Sequence, residues 1–164
     1  MSIKRIVLTL AMIACILSAA LVVPTTVHAQ THVSANNVTC WGDWCSGKNP
    51  QDTHCADDAT TIAEADVVTK YPDVTTNYGK LEVRWSPTCK TKWARLSLTK
   101  EMIVTYLTAT QDSGYEQTWH TSGSDNTSGA GVFYTNMIYS PILRVYAHLV
   151  DADAYCDVCA TNWV

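Results

Sequence analysis

Phenylalanine is nearly absent from this chain: Phe133 stands alone beside six tryptophans and eight tyrosines. Phe suits a sealed interior, whereas Trp and Tyr carry a polar handle and favour half-wet settings. The aromatic content therefore points away from a thick core and towards rings that reach the surface. Positive charge is also scarce, with 11 Lys and Arg against 15 Asp and Glu. The densest basic group is Lys90 and Lys92 with Arg84 and Arg95. A nucleic-acid partner needs a positive stripe and an anionic membrane surface needs the same, so no nucleic-acid partner is expected and such a membrane surface is disfavoured. No segment keeps a 3.6-residue apolar period, which excludes a helical architecture. Gly-x-Ser-x-Gly elbows, His-Glu-x-x-His helices and phosphate-cradling glycine loops are missing. His32, His54, His120 and His148 are scattered. No cofactor and no catalytic residue is assigned.

What is present begins with a leader. Lys4 and Arg5 form a charged start, an apolar run follows from Ile6 to Val23, and Val27-His28-Ala29 supplies small residues where a signal peptidase cuts. Residues 1–29 are read as a signal peptide, which makes the protein secreted and extracellular. The run is slightly short for a membrane anchor, and the sequence around Cys15 is a poor lipoprotein context, so no stable membrane anchor is expected. Cleavage removes Cys15 and leaves Cys40, Cys45, Cys55, Cys89, Cys156 and Cys159. An even cysteine count in a short exported chain indicates a disulfide framework.

The mature part divides into a polar arm over 30–39 and a single disulfide-stapled domain over 40–164. Cys40 to Asp58 has glycines, a proline and no apolar period, and reads as an irregular loop. Ala59 to Val68 is ambiguous between strand and helical turn. Tyr71 to Lys80, with Pro72, Asn77 and Gly79, reads as a turn region. Leu81 to Trp85 is the clearest strand, since Leu81, Val83 and Trp85 alternate with Glu82 and Arg84. Trp93–Leu98, Met102–Thr108, Val132–Tyr139, Leu143–Val150 and Thr161–Val164 are further strand candidates, and Thr121 to Gly131 is a turn. About six to seven short strands predict an all-β fold, a small disulfide-stapled barrel or sandwich.

Three groups of residues invite chemistry. Cys156-x-x-Cys159 has zinc-ligand spacing and Cys40-x4-Cys45 could supply the other half, although an oxidising exterior turns such thiols into disulfides. Asp52, Asp57 and Asp58 could offer calcium oxygen ligands on a loop, or satisfy backbone N–H groups in a turn. Asp57 or Asp58 would also be the acid or base of a hydrolase, although neighbours on a strand point to opposite faces. Arg84, Trp85, Trp93 and Arg95 form a candidate ligand surface, if the Leu81 and Trp93 strands pair around the Cys89 loop. Arg over indole makes a cation–π contact there, and the plainer alternative is that the arginines merely cover the tryptophans.

Gly47-Lys48-Asn49-Pro50, Cys55-Ala56-Asp57-Asp58-Ala59, Leu81-Glu82-Val83-Arg84-Trp85-Ser86-Pro87-Thr88-Cys89 and Trp93-Ala94-Arg95 occur in that order. Together they resemble domain of unknown function 2690, the YjfA-like family of secreted bacterial proteins. Asn49 stands where the family has Asp, and Trp85 where it has Tyr. Tyr139-Ser140-Pro141 and Thr161-Asn162-Trp163 resemble its later segments. The resemblance implies no activity. Its most regular cysteines correspond to Cys55 and Cys89, which implies that disulfide. Cys40, Cys45, Cys156 and Cys159 then pair either as two local rings or as a clasp between the chain's ends.

The function expected from all this is a non-enzymatic binding module at the cell envelope, engaging envelope polysaccharide or another protein through Trp/Tyr-rich loops. A hydrolase or transferase acting on cell-wall material and a structural envelope protein are the alternatives. Oligomeric state is not read from the sequence.

Overall fold

A computed structural model describes residues 37–120, 127–151 and 156–164. The leader over 1–29, arm residues 30–36, the 121–126 part of the glycine-rich turn and Asp153 lie outside the described residues. The described arm residues are tied down: Thr39 donates its N–H to the Thr53 carbonyl at 3.2 Å and Val38 packs against buried cysteines.

Among the described residues the fold is nearly all strand. In chain order these are β1 (Thr60–Tyr71), β2 (Val74–Ser86), β3 (Thr91–Leu98), β4 (Met102–Gln111), β5 (Glu116–His120), β6 (Thr127–Ser128), β7 (Gly131–Tyr134), β8 (Ile138–Tyr139), β9 (Val145–Asp151) and β10 (Cys156–Val158). All pairings are antiparallel. The first sheet runs β10-β1-β2-β3-β7, with β8 also on β3. The second is built on β4, flanked by β5, β6 and β9, and the terminal segment continues it: Thr161 donates to Ala147, and Val145 and Val164 exchange backbone bonds. Among the described residues no strand pairing joins the two sheets, so the architecture is a sandwich and not a closed barrel.

The period of two in each strand decides what the sandwich encloses. Leu81, Val83, Ala94 and Leu96 face inward from the first sheet, and Val104, Leu107, Ala109, Val145, Ala147 and Leu149 from the second. Fully burying each leucine contributes roughly 1.5–3 kcal/mol. Lys92 links the layers, because its Nζ donates to the carbonyls of Leu143 at 2.9 Å and Val164 at 3.0 Å. A second cluster forms on the opposite face of β3, where the loop from Cys40 to Asp58 folds back over Trp93 and Met137 and brings Cys40, Cys45, Cys55 and Cys89 with it.

Several strand boundaries differ from the sequence expectation. The Tyr71–Lys80 region is mostly strand, since β1 and β2 form a long hairpin with Tyr71 opposite Val74 and only Pro72 and Asp73 between them. Asn77 and Gly79 mark a bulge, seen as the register shift opposite Val67 and Val68. Asn77 Oδ1 there accepts the Gly79 N–H at 2.8 Å, which is turn-like chemistry inside a ladder. The hairpin strands, of 12 and 13 residues, are longer than the short strands expected. β5, which carries Trp119, lies in a stretch that is not among the strand candidates. Val132–Tyr139 is two strands, because Thr135 leaves the ladder to bond Ala94.

Candidate functional site

The structure does not bring Arg84, Trp85, Trp93 and Arg95 together on one exposed surface. β2 and β3 do pair, with Arg84 opposite Trp93 and Glu82 opposite Arg95. Alternation sends Trp85 to the other face, where Lys92 Nζ lies 5.7 Å from its ring. Trp93 is only 2% exposed, sealed beneath the cysteine loop. The two arginines share the outer face of the first sheet but are already engaged. Arg95 bonds Glu82 twice, at 2.6 and 2.7 Å, and Arg84 donates to Thr61 Oγ1 at 2.7 Å and to the Ala59 carbonyl. Burial presses the Glu82 carboxyl upward, but hydrogen bonds from Arg95 and Thr61 and the two guanidinium charges outweigh it and hold the group below its ordinary value.

The same outer face holds a shallow open depression of about 460 Å³, lined by Asp66, Asn77, Lys80, Glu82, Arg95 and Ser97. Lys80 reaches Glu64 at 2.7 Å, so both cations lining this hollow are paired to carboxylates of the chain itself. Little charge is left for a ligand.

The acidic candidates are similarly occupied. Asp58 accepts from Ser86 Oγ at 2.6 Å and from the Thr88 N–H at 3.0 Å, fixing the turn before Cys89. Asp57 faces His54 Nδ1 at 3.2 Å on the surface. Asp52, Asp57 and Asp58 do not converge on a common point; among the described residues the metal-capable group that does converge is Cys40, Cys45, Cys55 and Cys89. The disulfides are Cys40–Cys45, Cys55–Cys89 and Cys156–Cys159, so the two end pairs are local rings and no clasp joins the ends.

A surface of a different kind lies on the outer face of the second sheet, where Thr108 donates to the His148 carbonyl at 3.3 Å and Thr110 to Glu116 at 2.9 Å. While Leu107, Ala109, Trp119, Ala147 and Leu149 point inward, the alternate positions point out. Register places Tyr106 beside His120, Thr108 between Thr118 and His148, and Thr110 between Glu116 and Tyr146. The terminal segment adds Trp163 beside Tyr146 with ring centroids 4.4 Å apart. Tyr106 and His120 meet edge to face at 4.9 Å, and Arg144 lies 5.8 Å from the Trp163 ring. Tyr106 and Trp163 are each 41% exposed. Two aromatic pairs thus stand about four residues apart along the strands, roughly 14 Å, with threonine hydroxyls and His148 between them. A family model described as "Protein of unknown function (DUF2690)" matches residues 43–148. The chain belongs to this family. The DUF2690 match covers Tyr106, His120, Tyr146 and His148 but ends before Trp163 and before the Cys156–Cys159 ring. Searches of curated proteins and of solved structures return no match. Family membership assigns no residue a role, so the reading of this face rests on its geometry.

Sequence reasoning missed this face because its rings come from four separate segments, β4, β5, β9 and the terminal segment. The signal available was the alternation Tyr106, Thr108, Thr110 against Leu107, Ala109, together with Tyr146, His148 against Val145, Ala147, Leu149. A further pair of exposed rings, Trp41 at 65% and Trp44 at 63%, stands on the Cys40–Cys45 ring, with Lys48 Nζ 4.7 Å from Trp44.

Proposed function

We propose that this protein is a secreted, non-enzymatic binding domain that holds envelope polysaccharide across the outer face of β4, β5 and β9. The observation that carries the reading is the open aromatic face formed by Tyr106, His120, Tyr146, His148 and Trp163, on a sheet whose other side is locked into the core. Tyr and Trp offer a flat apolar ring plus a polar edge, which suits a sugar ring presenting C–H on one face and hydroxyls around its rim. Thr118 and His148 supply polar groups between the stacking positions, and the Thr108 hydroxyl, which donates to the His148 carbonyl, keeps its oxygen as an acceptor. A linear polymer lying along the strands would touch both aromatic pairs, each adding a modest contact.

Three disulfides suit an oxidising exterior. Among the described residues no helix is long and apolar enough to cross a membrane. Binding is favoured over hydrolysis because the two acid or base candidates are engaged, Asp58 with Ser86 and Thr88 and Asp57 with His54. Pull-down on insoluble cell-wall polysaccharide, with tryptophan-fluorescence titration by soluble fragments, tests the proposal. Saturable quenching without release of product is expected. Release of shortened fragments, or retention on the polymer that survives Tyr146→Ala with Trp163→Ala, would defeat it.

A further inference from the structure

We infer that Cys40, Cys45, Cys55 and Cys89 form a redox-convertible metal site: oxidised, they are two disulfides; reduced, they hold one zinc-like divalent ion between four thiolates. This is independent of the aromatic face. The four Sγ atoms all lie within 4.8 Å of one another. Cys40 Sγ and Cys55 Sγ, which belong to different disulfides, are 3.7 Å apart. A tetrahedral tetrathiolate with Zn–S near 2.3 Å separates its sulfurs by about 3.8 Å, so the contact between the two disulfides already has the length of a tetrahedron's edge. Conversion requires the sulfurs within each bond to move apart by about 1.8 Å.

Two staples that act independently have no need to be neighbours. The third ring, Cys156–Cys159, packs at the margin of the sandwich core and not with these four. The backbone is also curled around the cluster. His54, immediately before Cys55, and Lys90, immediately after Cys89, have φ of 60° and 56°, a left-handed conformation that side chains such as Lys rarely adopt. Gly42 and Gly47, each two residues after a cysteine of the first ring, have φ of 62° and 77°. All four cysteines are fully buried beside Trp93 and Met137, which keeps water from competing for ligand positions.

The chemistry balances with a dithiol as reductant. Each S–S bond takes up two electrons and two protons as a dithiol closes to its own disulfide. The four thiols then lose their protons to solvent as the ion sheds its waters and binds, and zinc itself does not change oxidation state. Reoxidation by two equivalents of a small disulfide, each taking two electrons from the site and two protons from solvent to become a pair of thiols, re-forms the two S–S bonds and releases the ion.

The full chain carrying Cys15→Ser, Cys156→Ser and Cys159→Ser retains these four as its only cysteines. Reduced with a phosphine under argon and titrated with cobalt(II), it should develop the visible bands of a tetrahedral cobalt thiolate, saturating at one ion per chain and bleached by zinc. Cys55→Ser on that background should weaken cobalt binding at least tenfold. If reduction loosens the fold, one equivalent of zinc should restore its β-sheet circular dichroism. The same titration on the unsubstituted chain guards against a variant that does not fold. Absence of thiolate bands from both chains, or unchanged cobalt affinity in Cys55→Ser, would overturn the inference.

Discussion

Replacing the two buried disulfides one at a time by alanine pairs should give unequal losses of stability. Cys55–Cys89 closes a loop with a sequence separation of 34, whereas Cys40–Cys45 closes one of 5. In the chain-entropy treatment these separations correspond to about 3.8 and about 2.1 kcal/mol of lost freedom in the unfolded chain at 25 °C. Alanine also removes two buried sulfurs in either case, which adds roughly 1.6 kcal/mol if each is counted as a methylene. All four residues are fully buried and share one cluster, so that contribution cancels in the comparison. Cys55→Ala/Cys89→Ala should therefore cost about 5.4 kcal/mol and Cys40→Ala/Cys45→Ala about 3.7, with the excess of about 1.7 kcal/mol assigned to loop length. Urea unfolding under non-reducing conditions measures both. A domain of ordinary stability, about 5–15 kcal/mol, stays folded in the second variant and approaches its limit in the first. Equal losses, or a larger loss for the short ring, would refute the assignment of the Cys55–Cys89 bond as the principal staple.

Gly79→Ala should destabilise by at least about 3 kcal/mol in thermal melts, because Gly79 sits at φ 151° and a Cβ there would lie 1.9 Å from the Ser97 carbonyl oxygen. Gly114, at φ 85° with open space around it, should lose only about 1 kcal/mol on the same change. Glu82→Gln should cost about 1.5–3 kcal/mol at pH 7 by weakening the bonds to Arg95 and Thr61. Because the folded-state value of Glu82 is lowered, its contribution is present above the unfolded value near 4.3 and disappears as pH falls through the folded one. Urea midpoints of wild type and variant should therefore converge in acid, and a constant gap would contradict the network. Trp93→Ala should cost about 3–5 kcal/mol, whereas Trp44→Ala on the surface should stay within about 0.5 kcal/mol; comparable losses would place Trp93 outside the core.

Much of the architecture was legible because it is local. Leu81, Val83 and Trp85 alternate within five residues, and that pattern survives as the inner face of β2. The Asn77–Gly79 bulge was not legible as such, since bulges and turns use the same side-chain-to-backbone bonds and differ only in whether a partner strand continues past them. β5 was hidden because its outward positions, Glu116, Thr118 and His120, are polar and only Trp119 marks the inner side. Trp93 was placed on a surface because its strand neighbours imply an open face; its burial depends on a loop some forty residues upstream folding back over it. The aromatic face needs strand register between segments far apart, and the convergence of four cysteines needs the whole loop path, so neither could be read from spacing.

The central claim, that the outer face of β4, β5 and β9 is where a glycan lies, is tested most directly by mapping amide and aromatic side-chain chemical shifts during titration with soluble envelope-polysaccharide fragments. Shifts should concentrate on Tyr106, Thr108, Thr118, His120, Tyr146, His148 and Trp163 and saturate together with one apparent affinity. Shifts gathered instead on Trp41 and Trp44 or around Glu82 and Arg95, or no shift at saturating fragment, would contradict it.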